Sequence, residues 1–221
     1  MPVINRIAEF ADEVAGWRRD FHLHPELGYD VHRTAARVAE LLDGFGVDEI
    51  ATGIGRTGVV AVIKGREPGP TIGLRADMDA LPINEKTGKP YASTTPGKMH
   101  ACGHDGHTAM LLGAAKYLSE TRNFDGTAVL IFQPAEEGGA GGRAMLEDGL
   151  MERFGIEEVY GMHNMPGTPL GHFGLRIGGI MAESDAFDII IEGEGGHAAF
   201  PQNTVDPVLI AAHMITALHS I

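Results

Sequence analysis

The chain has 221 residues, and 17 basic against 30 acidic side chains give a net charge of −13. Such acidity repels phosphate backbones and argues against a nucleic-acid partner, and no apolar run approaches the ~20 residues of a membrane span, so no membrane partner is expected. A single cysteine excludes an internal disulfide framework, and with an N-terminus that lacks the apolar core of a signal peptide it leads us to expect a cytoplasmic location.

Ile7, Phe10, Val14, Trp17 and Phe21 recur at spacings of three and four, which predicts one amphipathic helix closing near Pro25. A second helical pattern runs from about Thr34 to Phe45 and stops at Gly46. Val59 to Ile63 and Thr71 to Leu74 are short apolar runs bounded by Gly and Pro, as buried strands require. Helical spacing returns over Thr108 to Leu118. Ala128 to Phe132 then reads as strand, Arg143 to Leu150 as helix and Glu158 to Met162 as strand. Strands alternating with helices predict an α/β layer fold with a largely parallel or mixed central sheet. The texture changes after about Gly179: Phe187 to Ile191 is a strand candidate, Gly193 to Gly196 a glycine-rich turn, and Asp206 opens a helical run. That run reaches Ile221 without a capping glycine or polar tail, so we expect a truncated chain.

Three clusters carry candidate chemistry, and a fourth supports them. In Met99-His100-Ala101-Cys102-Gly103-His104-Asp105-Gly106-His107, Cys102 and His104 are two apart, a spacing that excludes a shared helix face. They could instead converge on a metal in the loop before the helix, with His107 at the helix start pointing elsewhere. In Phe132-Gln133-Pro134-Ala135-Glu136-Glu137-Gly138-Gly139, neighbouring carboxylates on an extended segment would point in opposite directions. One could then bind a metal while the other takes a proton from the attacking water. Tyr160-Gly161-Met162-His163-Asn164 ends a strand, where α/β folds place binding crevices, and His163 is a further ligand candidate. Asp77 and Asp79, after the run ending at Leu74, are candidates for a ligand or for a carboxylate that orients one. Each cluster also has a plainer reading: a buried thiol, histidines satisfied by carbonyls, a solvated acidic pair, or turn chemistry before Pro82.

Taken in order, the four clusters resemble the hippurate hydrolase-like N-acyl-amino-acid amidohydrolases of the aminoacylase/carboxypeptidase metallopeptidase superfamily. Phe21-His22-Leu23-His24-Pro25-Glu26-Leu27 and Gly196-His197-Ala198-Ala199-Phe200-Pro201 extend the resemblance to nearly the whole chain. It implies a zinc-metallopeptidase-like α/β catalytic domain with a mixed central sheet over residues 1–180, lacking its C-terminal part. Residues 181–221 would begin an α+β lid that dimerises. It implies hydrolysis of N-acyl or N-aroyl amino acids with two divalent metals per full-length subunit, drawn from Zn, Mn, Co or Ni. By motif, Cys102, His104, Glu137 and His163 would be ligands, Glu136 the catalytic base, Asp79 a supporting carboxylate and His197 an oxyanion donor acting across a homodimer or higher oligomer. A further histidine ligand near the end of such proteins has no counterpart here, and Gln202 stands where relatives often carry histidine. Two other readings remain at this point: a cysteine-nucleophile amidase built on Cys102, and a fragment that binds metal or dimerises without turnover.

Overall fold

The computed structural model describes residues 4–182 and 186–221. Its contacts form two compact units, one up to Gly171 and one from His172 onward.

In the first unit a five-stranded sheet is built from β1 (Glu49–Ile54), β2 (Gly58–Lys64), β3 (Thr71–Asp77), β4 (Thr127–Gln133) and β5 (Glu158–Gly161), in the order β1-β2-β4-β3-β5. β1 and β2 form an antiparallel hairpin, β2 pairs antiparallel with β4, and β3 runs parallel to both β4 and β5. The sheet is therefore mixed. Strand periodicity divides the apolar runs between two cores: Val59, Ala61, Ile63, Leu130 and Phe132 face one, and Val60, Val129 and Ile131 the other. Because both faces are covered, these strands read as unbroken apolar runs instead of alternating ones.

The larger core lies under α2 (Ala11–Leu23), α3 (His32–Phe45) and α4 (His104–Thr121). Trp17 and Phe21 of α2, Val38 and Leu42 of α3, and Leu112 and Ala115 of α4 are buried there at helical spacing. A fully buried Phe21 or Leu42 contributes ~1.5–3 kcal/mol of transfer free energy. The opposite face is closed by α5 (Gly141–Glu147) and α6 (Leu150–Phe154), through Met145 and Leu150.

The structure corrects several sequence expectations. The N-terminal helix is broken: α1 (Asn5–Glu9) ends at Phe10, whose φ of −106° and ψ of 19° leave helical geometry while its ring is buried. The helix expected from Arg143 to Leu150 is likewise two helices, parted at Gly149, whose φ of +79° suits a left-handed turn. β1 has no counterpart in the sequence reading. The helix expected to begin near Thr108 begins at His104, so that ligand candidate sits in the first turn of α4 and not in the preceding loop.

In the second unit Phe187 to Ile191 is not a strand, because among the described residues of that unit the sole strand-like pairing is the bridge between Glu194 and Val205. α7 (Pro207–Leu218) starts where expected, with Pro207 in its first turn and the Asp206 carboxylate accepting the Val208 N–H at 2.9 Å. Among the described residues no helix is long and apolar enough to cross a membrane.

Candidate metal centre

β3, β4 and β5 run parallel, so their carboxyl ends lie along one edge of the sheet. That edge delivers Asp77 as the last residue of β3, Glu136 and Glu137 just beyond β4, and His163 just beyond β5. The first turn of α4 adds His104 and His107, with Cys102 immediately before it. Crevices at strand carboxyl ends are where α/β sheets place their sites.

Three ligand-like groupings share this edge: Cys102, His104 and His163; Asp77, His104 and His107; and His104, Glu136 and Glu137. His104 is common to all three. Its Nδ1–H donates to the Asp79 carbonyl at 2.8 Å, which leaves Nε2 as the bare nitrogen. That nitrogen is fully buried and has no hydrogen-bond partner. Around it stand Asp77 Oδ2 at 3.6 Å, Glu136 Oε2 at 3.8 Å and Glu137 Oε1 at 3.8 Å. An unpaired buried acceptor ringed by carboxylates is unfavourable without a cation among them, and so these residues fit a divalent metal.

His163 is prepared in the same way. Its Nδ1–H donates to the Asn164 carbonyl at 2.7 Å, and its Nε2 lies 3.3 Å from the Cys102 sulfur. Burial first, then the charge and hydrogen bond of Glu137 and the charges of Glu136 and Asp77, push the Cys102 thiol up to about 11. A thiol held protonated is a poor nucleophile, which disfavours the cysteine-amidase reading; a cation would reverse the balance by stabilising the thiolate. For His104, burial opposes the charged form, but the hydrogen bond through Asp79 and the charges of Asp77, Asp79 and Glu137 outweigh it and raise the pKa. Asp77 is pushed up by burial yet brought down to about 2 by the His107 hydrogen bond and the charges of Arg75, His104 and His107.

The glutamates do not lie on an extended segment with opposed side chains, as their sequence suggested. Glu136 and Glu137 occupy a turn entered through Ala135 at φ +52°, and both carboxylates approach the same His104 nitrogen. An alanine held in the left-handed region costs ~1–3 kcal/mol and persists only when its surroundings over-determine it. Here the Ala135 N–H donates to the Gly28 carbonyl at 3.1 Å, and its own carbonyl accepts the Gly141 N–H at 3.0 Å. Beneath the turn, the buried Asp79 carboxylate accepts the Glu136 N–H at 2.9 Å on one oxygen and the Glu137 N–H at 3.1 Å on the other.

The structure thus gathers Cys102, His104, Glu136, Glu137, His163 and Asp79 in one place. His197 belongs to the second unit, where its Nδ1 accepts the Ala199 N–H at 3.1 Å. Sequence reasoning missed the contribution of His22, Arg18 and Glu85. His22 Nδ1 pairs with Asp105 Oδ2 at 2.7 Å and Arg18 Nε with the same oxygen at 2.7 Å, bracing the residue next to His104. The signal available was the pair of histidines around Leu23, which carries no information about a partner 83 positions away.

The model of peptidase family M20/M25/M40 matches residues 73–220. The chain is 48% identical over 221 residues to a hippurate hydrolase of Campylobacter jejuni, covering all of this chain and 57% of that protein. It is 45% identical over 213 residues to an N-acetylcysteine deacetylase of Bacillus subtilis, covering 96% of this chain and 56% of that one. The crystal structure of a Bacillus subtilis dinuclear metal-binding peptidase from the M20 family superposes with a TM-score of 0.72 at 45% identity, over 76% of this chain and 47% of the other. The chain spans little more than half the length of the curated relatives it matches.

Proposed function

The chain belongs to peptidase family M20/M25/M40, and on that premise we propose that it hydrolyses the amide bond of N-acyl or N-aroyl amino acids with the help of two divalent metal ions. The observation that carries this reading is the bare, buried Nε2 of His104 at the meeting point of Asp77, Glu136 and Glu137. Cys102, His104, Glu137 and His163 would hold the metals. When bound, the ions would polarise the scissile carbonyl and lower the pKa of the attacking water.

The remaining chemistry belongs to the chain. Glu136 is the more exposed of the two glutamates, its side chain 43% accessible against 21% for Glu137. It is therefore the carboxylate free to take a proton from the attacking water and return it to the leaving nitrogen, a role worth roughly 10²–10⁴ in rate. Asp79 fixes both main-chain N–H groups of the pair and so sets where that carboxylate points. Because His197 Nδ1 accepts from Ala199, the ring proton resides on Nε2, the form required of a donor to developing negative charge. The substrate class is supported by the names of the relatives: hippurate hydrolase and N-acetylcysteine deacetylase both denote cleavage between an acyl group and an amino acid.

The test is hydrolysis of hippurate and a panel of N-acetyl amino acids by the chain supplied with zinc, manganese or cobalt, before and after chelation. Glu136→Gln should keep its metal and lose at least a hundredfold in kcat, within the range of general-base loss. Turnover equal to wild type in that variant would end the assignment.

A further inference from the structure

His107 has no part in the mechanism above, yet it is buried beside the ligand candidates and fully committed to other groups. Its Nδ1–H donates to Asp77 Oδ1 at 2.7 Å, and Asp77 is in turn held by Arg75 at 2.8 Å. With its proton on Nδ1, Nε2 is an acceptor, and the Asn164 main-chain N–H donates to it at 3.0 Å. The Asn164 side-chain Oδ1 also lies 2.5 Å from that nitrogen, and turning the amide over would present its NH₂ end to the ring. The His107 and His163 rings pack edge to face with centroids 4.6 Å apart.

The neighbouring backbone is shaped to admit this contact. Gly103 sits at φ +97°, and a Cβ there would clash with the Asn164 side-chain amide. β5 is exposed along its whole length, and His163 and Asn164 follow it on an exposed segment. Beyond the pairing of β5 with β3, the side-chain hydrogen bonds that reach His163 and Asn164 from elsewhere among the described residues are those of Cys102 and His107.

From this chain of contacts we infer that His107 is a positioning residue: it ties the segment carrying His163 to α4, with Asp77 orienting its ring, and thereby presets His163 Nε2 for a metal it does not itself bind. The inference rests on the metal reading given above. It predicts that the Nε2 acceptor facing Asn164 matters more than the Nδ1 donor facing Asp77. Gln places an amide oxygen near the position of Nε2, whereas Asn places its amide near Nδ1 and falls short of Asn164.

The experiment is competition of the full chain against a chromophoric chelator for zinc, using wild type, His107→Ala, His107→Asn and His107→Gln. The Ala and Asn variants should lose roughly 10–100-fold in zinc affinity, the usual penalty for removing such a support, while Gln recovers most of it. With cobalt(II) in place of zinc, the thiolate absorption from Cys102 should persist in all four. Equal affinity across the series, or rescue by Asn and not by Gln, would overturn the positioning role while leaving the metal reading intact. A wild-type chain with no zinc affinity would overturn the metal reading and the positioning role with it. Nitrogen-15 NMR of histidine side chains in the zinc-loaded wild type needs no variant to fold: a bare, unmetallated Nε2 on His107 is expected, and a metal-bound one would make His107 a ligand and end the proposal.

Discussion

Replacing Asp79 by Asn is the sharpest test of how the glutamate turn is held. The wild-type carboxylate is buried and accepts one main-chain N–H on each oxygen, from Glu136 at 2.9 Å and Glu137 at 3.1 Å. The amide of Asn is almost the same size, but one of its two ends is a donor. One part-buried main-chain N–H then faces an NH₂ group and loses its partner, at about 1–3 kcal/mol. The other bond falls from a charge-assisted to a neutral one, a further loss of about 1 kcal/mol. Asn is easier to bury than a carboxylate, which offsets part of the sum, so we expect a net loss of about 2–3 kcal/mol. For a chain of this length that corresponds to a fall in Tm of about 4–12 °C. Thermal unfolding at neutral pH, followed by far-ultraviolet circular dichroism, measures it directly. Activity should fall as well, because the turn that aims Glu136 loses its anchor. A variant that melts within about 1 °C of wild type would refute the account of Asp79 as the anchor of Glu136 and Glu137.

Two further outcomes follow from the same geometry. Cys102→Ala should lower zinc bound per chain, measured by elemental analysis after dialysis, and unchanged stoichiometry would remove Cys102 from the ligand set. His22 has a raised pKa, chiefly from its hydrogen bond to Asp105, with burial opposing and the Asp105 charge and Glu85 bond assisting. A group whose pKa rises on folding adds stability that is complete below its unfolded pKa of about 6.5 and is lost as pH climbs through the folded value. Urea unfolding of His22→Gln should therefore show its largest deficit against wild type at mildly acidic pH and a shrinking one as pH rises. A deficit that grows with pH would show that His22 is not stabilised as a cation.

How much of this was legible in the sequence depends on the range of the interaction. The strand runs at Val59 to Ile63 and Ala128 to Phe132 were readable because both faces of the sheet are covered, so every position is apolar. β1 was not: only Ala51 and Ile54 of its six residues are buried, and its strand character comes from pairing with β2. The ligand candidates were legible as residue types and as an order along the chain. Their convergence was not, since it depends on three strands running parallel and on α4 starting at His104. The direction of Glu136 and Glu137 was misread for a specific reason. An extended continuation of β4 would have opposed them, but the left-handed Ala135 turns the chain, and nothing in an Ala-Glu-Glu string announces a positive φ.

The segment Phe21 to Leu27 shows the converse difficulty, a string whose residue types suggest chemistry and whose contacts are structural. Phe21 is fully buried in the larger core. His22 braces Asp105, and the His24 Nδ1–H donates to the Asp20 carbonyl at 2.8 Å. The Leu23 carbonyl accepts the Thr94 N–H at 2.9 Å and its hydroxyl at 2.7 Å. Glu26 spends one carboxylate oxygen on the Arg33 N–H and the other on the Thr34 N–H and hydroxyl, capping α3 from outside it. Its carbonyl takes the Ala80 N–H at 2.8 Å, and Leu27 bridges to Ala80 itself. Ala80 follows Asp79, and Asp105 follows His104, so this segment grips the residue after each of two positions at the candidate centre. Two imidazoles and a carboxylate are consumed in structural bonds, His22 to the Asp105 side chain and His24 and Glu26 to backbone. That is the work a metal site requires of its surroundings, because ligand atoms a few tenths of an ångström out of register bind weakly. The segment holds the centre's geometry without contributing an atom to it.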